Sequence, residues 1–153
     1  MKRGIIGCEK SKFTPITEAS ARFLIEVLLK PGDVLVSGGC HLGGIDIWAE
    51  ERANTIGISK IIHYPERLQW NGGFKERNLK IAKDSDIVYC ITLKEYPSTY
   101  TGRRFSYCYH CNTSDHVKSG GCWTANRAKE AQWYIINPDG QIVTGKRVKR
   151  TPI

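Results

Sequence analysis

Four side chains within the stretch YCYHCNTSDHVKSGGCWTANRAKEA, residues 107–131, have types and spacing that could serve one chemical task. Cys108, Cys111, His116 and Cys122 follow the pattern C-x2-C-x4-H-x5-C. Thiolate and imidazole are the donors a Zn²⁺ ion takes in a tetrahedral site, and a C-x2-C turn can bring two sulfurs to one face of that tetrahedron. The pattern predicts a structural zinc site in a loop over residues 106–122, with His110 within reach as an alternative to His116. Ser119-Gly120-Gly121 then leads into a helix-like stretch beginning near Trp123. A glycine turn that opens a helix presents N–H groups to an anion such as phosphate. Cys122 belongs to both features, so a metal there would staple the loop that holds the ligand.

A second glycine turn lies upstream. Gly38-Gly39-Cys40-His41-Leu42-Gly43-Gly44 follows a strand-like DVLVS and precedes a helical stretch, and four glycines there permit close backbone approach to an anion. No Lys-Ser or Lys-Thr pair follows, so it is not a P-loop, and it does not match G-x-G-x-x-G. Asp46, just inside the next helix, can cap first-turn N–H groups or meet a ligand. Asn78 shares a helical face with Phe74, Ile81 and Ala82, which aims an amide where an apolar residue is expected; Arg77 precedes it. A buried amide needs partners, and a neighbouring loop or a ligand can supply them.

The elements that position these groups follow from periodicity. Apolar runs predict strands at residues 4–8, 33–37, 60–64, 86–92 and 133–136, with an edge strand at 141–144 after the Pro138-Asp139-Gly140 turn. Thr14-Pro15 opens a helix whose face is Ala21, Leu24, Ile25 and Leu28, and Pro31-Gly32 ends it. Ile45, Trp48, Ala49, Ala53 and Ile56 form the next face, closed by Gly57, and a third helix starts at Phe74. Ala125, Ala128 and Ala131 predict a last helix with a small-residue face. Strands alternating with helices imply an α/β, doubly wound, mainly parallel sheet of five to six strands in three layers, Rossmann-like, with the zinc-binding loop inserted after the fourth strand. Ligands bind such sheets outside the carboxyl ends of the strands. Glu9–Phe13, Gly38–Gly44, Asn71–Arg77 and Gly120-Gly121 should all meet on that edge.

At 153 residues, 41% of them hydrophobic and 25% charged, the chain reads as one domain over residues 1–145 followed by a basic tail, 146–153. No apolar run reaches the ~20 residues that cross a bilayer, so no membrane partner is expected. The early strand leaves no room for a leader peptide, and Cys8, Cys40 and Cys90 sit at or beside strands, so reduced thiols and a cytoplasmic location are expected. Twenty-three Lys and Arg against fifteen Asp and Glu give a net charge of +8, which favours anionic partners.

Three segments together resemble one family. LVSGGCHLGGID is similar to the glycine-rich strand–loop–helix of the SMF/DprA–LOG (SLOG) superfamily of Rossmann-like domains. GGFKERNLKIAKDSDIVYCI resembles its arginine-bearing helix and next strand, and GGCWTANRAKEAQWYIINP its second loop, Gly-Gly-x-x-Thr. The resemblance implies a fold that binds nucleotides or phosphate-bearing ligands, some members being enzymes and others binders. It assigns Gly38, Gly39, Gly43, Gly44 and Asp46 to the first loop, Arg77 to a phosphate, and Gly120, Gly121 and Thr124 to a second anion site. The Cys/His spacing also resembles a retroviral-type zinc knuckle, with the last gap one residue longer.

Two departures shape the functional expectation. The phosphoribohydrolases of the LOG branch carry a catalytic Glu two residues after the loop threonine; here that position is Asn126, and an amide is no general base. Glu130 lies more than a turn further on. Relative to DNA-processing protein A, the first loop is longer and has His41-Leu42 where that branch has an arginine. The leading expectation is a zinc-stabilised binder of a nucleotide or nucleotide-derived phosphate. A nucleoside-monophosphate phosphoribohydrolase using Asp46 or Glu9 is the alternative. Binding of single-stranded nucleic acid through the tail and zinc loop is a third, and self-association is compatible with all three.

Overall fold

Successive strand residues point to opposite sides of a sheet, and the apolar runs of this chain bury both sides. The computed structural model describes residues 1–145, and the basic tail expected at 146–153 lies outside them. The elements in chain order are β1 (Lys2–Gly7), α1 (Pro15–Leu28), β2 (Val34–Ser37), α2 (Ile45–Ile56), β3 (Lys60–Ile62), α3 (Lys75–Asp84), β4 (Ile87–Leu93), α4 (Gly120–Ala125), β5 (Ala131–Ile136) and β6 (Ile142–Thr144). The six strands form one sheet in the order β3-β2-β1-β4-β5-β6, parallel except for β6. This is the α/β, Rossmann-like three-layer arrangement that the periodicity predicts. No helix among the described residues is long and apolar enough to cross a membrane.

Ile5, Leu35, Tyr89 and Ile91 face α1 and α2, where Ala21, Leu24, Ile25, Ile45, Trp48 and Ala49 cover them. Ile6, Val36, Val88, Cys90 and Trp133 face the other way, against Ile81 and Ala82 of α3 and a group formed by Cys108, Cys111, Cys122 and Ala125. The cysteines of this segment are therefore part of one core layer, while its Val117 packs in the other.

Local signals account for the helix starts. Thr14 and Thr17 form a reciprocal cap at α1, with Thr17 N donating to Thr14 Oγ1 at 3.2 Å and Thr14 N to Thr17 Oγ1 at 2.9 Å. The helix stops at Leu28, short of Pro31, because Leu29 turns extended to bury its side chain fully. The largest departure from expectation concerns the last helix. It spans only Gly120–Ala125, and Ala131 instead begins β5, paired with Val88. Tight turns end it: Arg127 N donates to Thr124 O and Ala128 N to Ala125 O, at 3.0 and 3.2 Å. Phe74 belongs to a five-residue turn, Trp70–Phe74, just ahead of α3.

Candidate functional site

The strand order reverses direction between β1 and β4, and the crevice this opens at the carboxyl edge is a cleft of about 170 Å³. The four segments expected to converge there each contribute to its walls: Gly7 at the end of β1 with Cys8, Glu9 and Lys12 beyond it, then Gly43 and Asp46, then Arg77 and Asn78. Ser119, Gly120, Gly121 and Thr124 close the opposite side. Gly38, Gly39 and Gly44 do not line the cleft but hold its first loop. The Gly38 carbonyl accepts a hydrogen bond from Arg77 Nη1. Gly44 has φ +92°, and a Cβ there would meet the Cys8–Lys10 backbone at contacts no side chain tolerates. Gly121 is held less tightly, a Cβ there lying 3.0 Å from Gly7 N, whereas nothing stands within 4 Å at Gly120.

The charges in the cleft are mixed. Arg77 also donates through Nε to Asn78 Oδ1 at 2.7 Å, which helps to orient the guanidinium and gives the buried Asn78 amide a partner. Lys12, whose side chain is only 13% exposed, is a cleft cation that the sequence reading missed. It sits in the run Glu9-Lys10-Ser11-Lys12, which looks like a solvated turn; its position just past β1 was the available signal. α4 is too short for a helix dipole to contribute much. Attraction for an anion rests on Lys12 and Arg77.

Asp46 is buried, and its Oδ2 accepts from Cys40 N at 3.3 Å. Burial pushes its carboxyl up to about 6 against the pull of Arg77, and Glu50 adds to the rise. Because the folded value lies above the ordinary 3.8, the stability contributed by the protonated carboxyl is complete below that pH and lost as pH rises through about 6. Asp46→Asn is therefore expected to match wild type near pH 4 and to exceed it at pH 8 by up to about 3 kcal/mol, measured by urea unfolding. A wild type as stable as the variant at pH 8 would show the carboxylate to be well solvated.

The second constellation lies directly behind this cleft. Ligand atoms of Cys108, Cys111, His116 and Cys122 all fall within 4.8 Å of one another, and all four residues are buried. A tetrahedral ion with metal–sulfur bonds of about 2.3 Å sets sulfurs roughly 3.8 Å apart, so the grouping is near ligation geometry. A tight hairpin turn, with Cys108 N donating to Thr113 O at 2.8 Å and Asn112 left-handed at φ 55°, brings the first two thiols together. His116 Nδ1 bonds Asp115 Oδ1 at 2.5 Å while Nε2 lies 3.5 Å from Cys122 Sγ. A carboxylate partner on one ring nitrogen turns the other towards a metal. His110 is outside the cluster, its ring 4.5 Å from that of Tyr109.

Electrostatics tie the four groups to one another. All six cysteines are free. Hydrogen bonds from Cys108 and Cys111 hold the Cys122 thiol well below its ordinary range, while its neighbour Cys108 drives Cys111 upwards. Burial opposes a charge on His116, yet Cys108, Cys122 and Asp115 outweigh it and raise the imidazole to about 10. Three crowded thiols cannot all ionise without a cation among them. The cluster could hold a metal ion.

Asn126 serves this cluster. Its Nδ2 donates to His110 O and Cys122 O at 2.9 Å each and approaches Cys111 Sγ at 3.6 Å. Ser119 bridges the two constellations, since it lines the cleft and its Oγ lies 3.6 Å from Cys122 Sγ. Compared with known protein families, curated proteins and solved structures, the chain matches none.

Proposed function

We propose that the cleft at the carboxyl edge of the sheet binds a nucleotide or a nucleotide-derived phosphate, in a SLOG-type domain whose long β4–α4 connection is held by a structural zinc ion. The observation that carries this reading is the meeting of Lys12 and Arg77 with Glu9 and Asp46 in one small cleft. Two cations suit a phosphate, and carboxylates accept hydrogen bonds from ribose hydroxyls. An inorganic anion would face both carboxylates, and an apolar ligand would take four charges out of water with only their present contacts, such as the Lys12–Glu9 pair at 3.9 Å, to offset the loss. A ribose phosphate satisfies both signs. Zinc is favoured by the donor set, because three thiols and an imidazole suit it while Mg²⁺ and Ca²⁺ take oxygen. Four protein ligands leave no position for water, so the ion's role is to order the segment.

Calorimetric titration with adenosine 5′-monophosphate tests the reading. Charged hydrogen bonds from a guanidinium contribute roughly 1.5–3 kcal/mol, so Arg77→Ala should weaken binding about ten- to a hundredfold. The two core layers do not depend on Arg77, and a cooperative melt should persist. Unchanged affinity would remove Arg77 from the site, and the absence of saturable binding by any nucleotide would overturn the function.

One observation favours a second reading, hydrolysis of an N-glycosidic bond: Asp46 combines a raised carboxyl pKa with a place in the cleft, as acid–base groups do. Release of free base from the monophosphate, abolished in Asp46→Asn, would establish it. Binding alone is the preferred reading, since the amide of Asn126 is committed to the cysteine–histidine segment.

A further inference from the structure

A second and larger cleft, about 360 Å³, adjoins the first and shares Arg77, Asn78 and Gly120 with it. Its character is different. Trp70, Phe74, Tyr109 and Trp123 line it, with Lys118 beside them. Trp70 and Tyr109 are each 43% exposed, a large aromatic area to leave in water on one small surface. Trp70 and Trp123 meet edge to face, with centroids 4.8 Å apart and planes at 86°, and Arg127 covers Trp123 at 3.7 Å. The pair is fixed at a right angle, and Trp70 and Tyr109 are the rings with surface to offer.

We propose that this aromatic cleft is the base-recognition subsite of the same nucleotide, taking a planar purine or pyrimidine whose ribose phosphate occupies the first cleft. The inference rests on the nucleotide reading of that first cleft. Rings with a cation at their margin are what stacked bases meet in proteins, because every base has a π-face and its phosphate carries the opposing charge. Continuity supports a single ligand: Arg77, Asn78 and Gly120 stand at the junction of both cavities, where the sugar of such a ligand would lie.

The position of these rings also gives the cysteine–histidine segment a task beyond stability. Tyr109 lies between Cys108 and Cys111, and Trp123 directly follows Cys122. Lys118 Nζ sits 5.2 Å from the Tyr109 ring centre. One wall of the aromatic cleft is thus carried on residues adjoining the proposed metal ligands, while Trp70 and Phe74 approach from the turn before α3.

The test compares the four common nucleoside 5′-monophosphates with ribose 5-phosphate on zinc-loaded wild type, Trp70→Ala and Tyr109→Ala. In wild type the best monophosphate should bind at least about tenfold more tightly than ribose 5-phosphate, the gain stacking typically supplies. In Trp70→Ala that gap should fall below about threefold with ribose 5-phosphate affinity unchanged, and Tyr109→Ala should reduce it independently should Trp70→Ala not fold. Equal wild-type affinities, with ribose 5-phosphate still binding, would overturn the base subsite and leave the phosphate cleft standing. Binding of neither probe would overturn both. A short oligothymidylate that binds more tightly than every monophosphate, with steep salt dependence, would overturn the mononucleotide assignment in favour of a single strand.

Discussion

Cys111→Ser is expected to abolish stoichiometric metal binding and to unfold the connection between β4 and α4 while much of the sheet survives. Wild-type protein should carry about one zinc per chain by elemental analysis. Serine offers a hard, neutral oxygen where a soft thiolate is required, and the three remaining donors cannot complete the tetrahedron. In small zinc peptides such sites contribute about 10–16 kcal/mol at neutral pH, enough to decide whether a long connection without regular secondary structure is ordered. The damage should be one-sided. Cys108, Cys111 and Cys122 pack in the layer with Ile6, Val36 and Trp133, whereas α1 and α2 hold the opposite layer without them. Limited proteolysis should therefore cut within residues 94–119 first. His110→Ala should keep its zinc, because that ring lies outside the cluster. Metal-free wild type, or full zinc in Cys111→Ser, would refute the site.

Much of the frame was legible because strands buried on both faces must be apolar throughout. Ile5 and Ile6 go to opposite layers, as do Leu35 and Val36, and such pairs mark a parallel sheet before any contact is known. The cysteine–histidine cluster was legible for a different reason, since its chemistry is carried by residue type and a short turn. The last helix was misread because Ala125, Ala128 and Ala131 repeat at helical spacing, while side-chain bonds from Asn126 and the pairing of Ala131 with Val88 decide the backbone. Propensity yields to tertiary bonds there. Lys12 was hidden by the charged run around it. The aromatic wall was hidden by distance along the chain, since Trp70 and Trp123 meet only after α3 and the cysteine–histidine segment have both docked.

Removing zinc is expected to weaken nucleotide binding at least tenfold, although the cysteine–histidine cluster does not line the cleft. Ser119, Gly120 and Gly121 line the cleft immediately before Cys122, and Ser119 Oγ touches the Cys122 sulfur at 3.6 Å. A metal that fixes Cys122 fixes these residues, and with them Tyr109 and Trp123. Ordering a residue's backbone costs roughly 1–2 kcal/mol, so leaving three or four of them loose would add several kcal/mol to the cost of binding as an upper bound. Linkage demands the converse: a nucleotide that prefers the ordered segment must tighten zinc retention by the same factor. Equilibrium competition for zinc between the protein and a chelator of known affinity shows whether the cysteine–histidine segment and the cleft form one binding device. The competition is run with and without saturating nucleoside 5′-monophosphate. Zinc retention should be at least tenfold tighter when the nucleotide is present, and identical competition curves would refute the coupling.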